Sequence, residues 1–241
     1  MVIAIRNLSK SYNKGAVKAV DNLNLEVNPG EIFGFLGPNG AGKTTTIKMI
    51  VGLLNADEGS ITVKGFDNRA TPIEAKRNIG YVPDNPEVYD RLTGLEYLNF
   101  MADVYQVPAQ ARRERIARYL EMFDLEDAAT DLIKSYSHGM KQKIVLAGAL
   151  IHNPAVWIMD EPMVGLDPKS AHLLKEEMRK HCDKGNAVFF STHVLEVAEK
   201  LCDRIGIINK GKLVAIGTMD ELRQGEKANS LENIFLELTE R

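Results

Sequence analysis

The chain has 241 residues, 44% of them hydrophobic and 26% charged, enough apolar material for one large domain or two small ones. A formal net charge of −3 argues against a general nucleic-acid binder. No uninterrupted apolar run approaches the ~18 residues of a spanning helix, and residues 1–6 lack the length and cleavage pattern of a signal peptide.

In chain order, residues 2–6 and 19–27 alternate as exposed or edge strands do, with Leu23, Leu25 and Val27 on one face. Pro29 and Gly30 turn into residues 32–36, an apolar run that reads as a buried strand. There follow Gly37, Pro38, Asn39, Gly40, Ala41, Gly42, Lys43 and Thr44, which fit the phosphate-loop pattern of Gly, four residues, Gly-Lys-Thr. A helical pattern then runs through Thr45, with Ile47, Ile50, Val51 and Leu54 on one face. Strand, loop and helix in that order put backbone N–H groups around an anion at a positive helix end. Lys43 then reaches the β- and γ-phosphates, and the Thr44 hydroxyl is placed as a ligand for Mg²⁺. A bound nucleoside triphosphate is the expectation.

Residues 55–59 read as a loop, 60–63 as a strand, a short helix begins near Pro72, and 79–82 is a strand again. From 86 to 153 the pattern is nearly all helical, with a capping box from Thr93 to Glu96 and Ile116, Leu120 and Phe123 facing inward. The mixed charges at 112–115 belong to a solvated face. After Pro154 strand–helix alternation resumes: 155–159, 187–190 and 205–208 read as buried parallel strands, and 213–216 closes the sheet. Thr218 to Glu221 caps a last helix, followed by a polar stretch at 224–230. The expected fold is α/β: a P-loop NTPase core with a mostly parallel sheet and N-terminal antiparallel strands, plus an inserted helical subdomain. The core is 1–85 and 154–223, the insert 86–153, and a helical tail 224–241. Cys182 and Cys202 lack metal-ligand spacing and are expected as buried free thiols of a reducing cytoplasm.

Adjacent acids at a strand end point in different directions and suit different tasks. Asp160 fits the Mg²⁺ carboxylate of phosphate-loop enzymes, directly or through a water, and Glu161 the general base facing the attacking water. His193, ending the strand at 187–190, is placed to donate to the γ-phosphate and the water. Ser137 caps a helix running to about His152, whose N-terminus is a second phosphate site. One phosphate loop and two phosphate-binding helix ends are reconciled by a symmetric head-to-tail dimer.

These motifs, in this order, resemble the ATP-binding cassette ATPases over essentially the whole chain. The resemblance implies an ATP-hydrolysing subunit of an ABC transporter, working with transmembrane permease subunits on separate chains from the inner face of the cell membrane. It implies that Tyr12 stacks on adenine, that Ser137, His138 and Gly139 act across the dimer on the partner's ATP, and that Asp167 sits at the dimer contact. The helical subdomain would receive the membrane partner. Two positions depart from the family pattern. Asp84 stands where a glutamine usually contacts Mg²⁺ and water; aspartate offers oxygen but is shorter, charged and without an N–H. In the signature, His138 replaces a glycine and Met140 a glutamine. These variants resemble the drug, peptide and antibiotic exporter branch. A soluble cassette of translation or DNA maintenance, and a binding-only cassette, remain as alternatives.

Overall fold

The computed structural model describes residues 1–86, 88–224 and 230–239. The N-terminal part contains β1 (Ile3–Tyr12), β2 (Val17–Val27), β3 (Ile32–Leu36), α1 (Lys43–Ile50), β4 (Glu58–Val63), β5 (Phe66–Asp67), α2 (Pro72–Arg77) and β6 (Ile79–Val82). The middle is helical, with α3 (Gly94–Val104), α4 (Ala109–Met122) and α5 (His138–Leu150). Alternation then returns in β7 (Val156–Asp160), α6 (Pro168–Asp183), β8 (Ala187–Thr192), α7 (Leu195–Leu201), β9 (Arg204–Asn209) and β10 (Lys212–Gly217). Two short helices follow, α8 (Met219–Gln224) and α9 (Leu231–Thr239).

The strands divide into two sheets, one of four strands in the order β2-β1-β4-β5 and one of six in the order β10-β9-β3-β8-β7-β6. Within the six, β9, β3, β8, β7 and β6 run parallel, and β10 pairs antiparallel at the edge. The apolar runs of β3, β7 and β8 are buried throughout, as strands covered on both faces require. β1 is longer than the alternation at 2–6 implied, and it is an interior strand, paired with β2 on one side and β4 on the other. Its inward side chains Ile3, Ile5 and Leu8 are fully buried, so the edge-strand reading is corrected.

The space between the sheets is filled from both: Leu23, Leu25 and Val27 of β2 meet Phe33, Phe35 and Phe189, with the rings of Phe33 and Phe189 stacked 5.7 Å apart. Burial of each such side chain contributes about 1.5–3 kcal/mol. The opposite face of the parallel sheet shares one cluster with α3, α4 and α5, in which Leu98, Phe123 and Ile144 meet Trp157 and Phe190. Thr93 and Glu96 form the capping box that starts α3, each side chain bonding the other's backbone N–H. Thr218 and Glu221 start α8 in the same way, but α8 is not the last helix. α9 packs Leu231 and Ile234 against Leu36 and Ile207, while the sequence reading of 224–230 falls largely outside the described residues. Cys182 and Cys202 are free thiols; Cys182 is buried as expected and Cys202 only half-buried, and desolvation raises the pKa of both.

Candidate active site

The parallel topology sends β3, β7 and β8 out of the sheet at one end, and the residues that leave them meet there. A cleft of about 200 Å³ is lined by Pro38, Asn39, Gly40, Gly42, Lys43, Thr44 and Thr45 of the loop and α1, with Asp84, Asp160 and Glu161 opposite. Ala19 of β2 completes the wall. Gly37 and Ala41 are buried behind it. At Gly37 a Cβ would lie 2.4 Å from the Ile208 carbonyl oxygen, and at Gly42, where φ is +112°, it would lie 2.4 Å from that of Ala19. Only glycine allows both close approaches.

Lys43, at the first turn of α1, is buried and donates to the carbonyls of Gly37 at 2.6 Å and Pro38 at 3.3 Å. Burial lowers its pKa, against an opposing pull from Glu161, Asp160 and Asp84. Thr44 Oγ1 donates to Asp160 Oδ2 at 2.7 Å, while Ser191 Oγ donates to Asp160 Oδ1. Both oxygens of this buried carboxylate are thus directed by named hydroxyls. The sequence reading did not single out Ser191; its only signal was a polar residue next to His193 at a strand end.

Glu161 sits at φ +50°, the sparsely populated left-handed region for a non-glycine residue. Its backbone N–H is fixed by the Ser191 carbonyl and hydroxyl at 3.2 and 3.1 Å. Its carboxylate receives His193 Nδ1 at 3.0 Å and the His193 backbone N–H at 3.4 Å. Asp84, exposed at the mouth, has a pKa raised first by desolvation and then by the charges of Asp160 and Glu161. Beside it, burial first and then the charges of Asp160 and Asp84 push Tyr81 up to about 12. The cleft therefore joins a cationic cradle to three carboxylates and a histidine, a constellation suited to phosphoryl transfer to water.

Five expected residues lie outside this cleft. Ser137 caps α5, accepting from Met140 N at 3.3 Å, and it is exposed with His138. The Gly139 backbone packs against the Gly165 carbonyl, and the His138 ring rests on Gly165. Asp167 caps α6 through Ser170 N at 2.9 Å and pairs with Lys143 Nζ at 2.7 Å; those hydrogen bonds hold its carboxyl well below the usual range. Lys143 was not anticipated, since its partner lies on another helix. Tyr12, at the end of β1, is exposed and apart from the cleft lining.

The pattern of the ABC transporter family matches residues 20–164, more than half the chain. A linearmycin resistance ATP-binding protein, LnrL of Bacillus subtilis, is 41% identical over 221 residues, 92% of this chain and 70% of the relative. The chain belongs to the ABC transporter family, as an ATP-binding subunit. The cassette is also 35% identical to EcsA of Bacillus subtilis, an ABC-type transporter ATP-binding protein, over 99% of this chain and 96% of the relative. Its fold superposes on the solved structure of an ATP-binding subunit of an ABC transporter with a TM-score of 0.94, at 34% identity and 99% coverage of both chains. A dimeric post-hydrolysis cassette bound to ADP and Pi, MJ0796, matches with a TM-score of 0.80 at 25% identity, over 90% of this chain and 98% of that one. The activity of the cassette is ATP hydrolysis. Among the described residues no helix is long and apolar enough to cross a membrane.

Proposed function

We propose that two copies of this cassette close head-to-tail on two ATP molecules, and that this closure drives export through transmembrane permease subunits carried on separate chains. One observation carries the reading: the phosphate-loop cleft holds Asp160 and Glu161 of its own chain, while the Ser137-capped end of α5 is exposed and does not line that cleft. A second copy, turned about a two-fold axis, presents that helix end to the nucleotide. The dimeric MJ0796 cassette supplies the analogy.

In this reading Lys43 and the loop N–H groups hold the β- and γ-phosphates, and Tyr12 stacks on the adenine. Glu161 takes the proton of the attacking water, and His193 keeps its carboxylate aimed. Ser137, His138 and Gly139 reach the partner's γ-phosphate, and Asp167 lies at the contact between copies. The Thr44 hydroxyl and Asp160 are hard oxygen donors 2.7 Å apart, and the Asp84 carboxyl, raised first by desolvation and then by the charges of Asp160 and Glu161, stands in a setting that a cation relieves. Thr44 and Asp160 would hold Mg²⁺ beside ATP, where it would supply neutralisation of phosphate charge. Asp84, exposed at the mouth, offers a further carboxylate oxygen facing the same space.

Residues 86–153 are proposed to form the subdomain that meets the permease at the inner face of the membrane, with 1–85 and 154–223 as the core and 224–241 as a helical tail. Support comes from an exposed apolar group before and along α3: Tyr89 and Phe100 meet edge to face at 5.5 Å, and Val104 is open beside them in sequence. Export is the direction named for the Nod factor export ATP-binding protein I of Burkholderia orbicola, 38% identical over 224 residues. The test is specific activity against protein concentration, followed by recovery of bound partners from cells. A rate per molecule that falls on dilution and a co-purified polytopic membrane protein support the reading. A dilution-independent rate, or recovery with ribosomes or DNA, overturns it.

A further inference from the structure

Away from the nucleotide cleft, a cavity of about 540 Å³ opens between the four-stranded sheet, the C-terminal end of α1, and α2. That volume falls within the range of small-molecule sites, about 300–1,000 Å³. Its floor is apolar: Leu8, Met49 and Ile61 are buried there, with Leu54 half-buried beside them. Its rim carries two cations, Arg69 and Lys76, and no aspartate or glutamate lines it.

The local hydrogen bonds account for the neighbouring polar groups; Asp57 and Asp67 lie near enough to feel the Arg69 charge, but no acid lines the cavity that the two cations face. Asn68 Nδ2 donates to the carbonyls of Met49 at 2.8 Å and Ile50 at 3.2 Å, tying the end of α1 to this wall. Asp67 is occupied by the backbone N–H groups of Arg69 and Ala70 at 2.8 and 2.9 Å. The Arg69 guanidinium donates to the Ala56 carbonyl, and the Lys76 stem lies over Gly52 at the α1 terminus. Among the described residues neither cation has a carboxylate within ion-pair distance. Two unpaired cations at the mouth of an apolar hollow are complementary to an anionic head on an apolar body. The body displaces water from the floor, and the head takes charge-assisted hydrogen bonds from both side chains.

We propose that this cavity binds a small organic acid, its single anionic head between Arg69 and Lys76 and its apolar body over Leu8, Met49, Leu54 and Ile61. The occupant touches α1 at the end opposite the phosphate loop, so it addresses the nucleotide-binding helix from behind. None of this depends on the dimer or on the permease.

Octanoate serves as the probe, followed by amide chemical shifts of the isotope-labelled full chain. The expected result is saturable movement of the Gly52, Gly59, Ser60 and Asn68 amides, with 1-octanol, the same tail without charge, binding about tenfold more weakly. The exposed double variant Arg69→Gln, Lys76→Gln should lose about tenfold in octanoate affinity while its ATP hydrolysis stays at the parent rate. Shifts that never saturate or that fall elsewhere, equal binding of octanoate and octanol, or an unchanged affinity in the double variant would overturn the assignment.

Discussion

His193 holds Glu161 at both carboxylate oxygens, its ring Nδ1 3.0 Å from Oε1 and its backbone N–H donating to Oε2 at 3.4 Å. The two residues immediately follow neighbouring strands, so their separation is set by the β7–β8 pairing that ends just before them. A base held this way keeps its direction while water is activated. Glu161→Gln preserves shape and hydrogen bonding but cannot accept the proton. Hydrolysis should fall by about 10²–10⁴-fold with ATP affinity retained, as read by single-turnover kinetics and nucleotide titration. Undiminished hydrolysis would remove Glu161 from the role of base.

The phosphate loop is built on close approach more than on flexibility. Gly37→Ala drives a methyl group into the Ile208 carbonyl oxygen, 2.4 Å away, and should cost about 1–3 kcal/mol in urea unfolding and disturb nucleotide binding. Gly40→Ala meets nothing within 4 Å and carries only the strain of φ +79°, about 1 kcal/mol. Equal losses at the two positions would contradict this distinction.

Much of the chemistry was legible because it is local. The loop at 37–44 and the acids at 160 and 161 are each contiguous in sequence, and β3, β7 and β8 announce themselves by their own apolar runs. What was not legible depends on partners far along the chain. Nothing in residues 2–6 says that β1 lies between β2 and β4, since strand order is chosen by packing across the whole sheet. Ser191 and Lys143 look like ordinary polar residues until β7 and β8 pair and α5 meets the start of α6. The split into two sheets was hidden for the same reason.

Asp84 offers a pH test. Its folded pKa lies above the ordinary 3.8, because desolvation and the charges of Asp160 and Glu161 disfavour its ionised form. The cost to stability is absent below 3.8, grows as pH rises through the folded value, and is complete at neutral pH. Asp84→Asn should therefore raise the Tm of the nucleotide-free, metal-free chain at pH 7 and lose that advantage below 3.8. A variant less stable at pH 7, or one whose gain persists in acid, would contradict the assignment.

His152 and His181 act in the opposite window. Burial pushes both from 6.5 down to about 4; His152 stacks on Tyr105 at 3.6 Å and His181 on Trp157 at 4.2 Å. The unfolded chain takes up protons at 6.5 that the folded chain refuses until about 4, so stability is lost as pH falls between those values. Each contributes at most about 3 kcal/mol to that loss. Fluorescence of Trp157, the single tryptophan, should show no titration near 6.5 in the folded protein. A fluorescence transition centred there would mean that His181 is open to protonation.

The most direct measurement mixes two impaired variants. Ser137→Asp keeps a side chain that caps α5 while placing a negative charge against the partner's phosphate, and Glu161→Gln removes the base. Each alone should hydrolyse ATP slowly. In a head-to-tail pair of one of each, one of the two sites joins an intact Glu161 to an intact Ser137, so an equimolar mixture should recover up to about a quarter of the parent rate per chain. A mixture no faster than the sum of its two components would contradict the shared site.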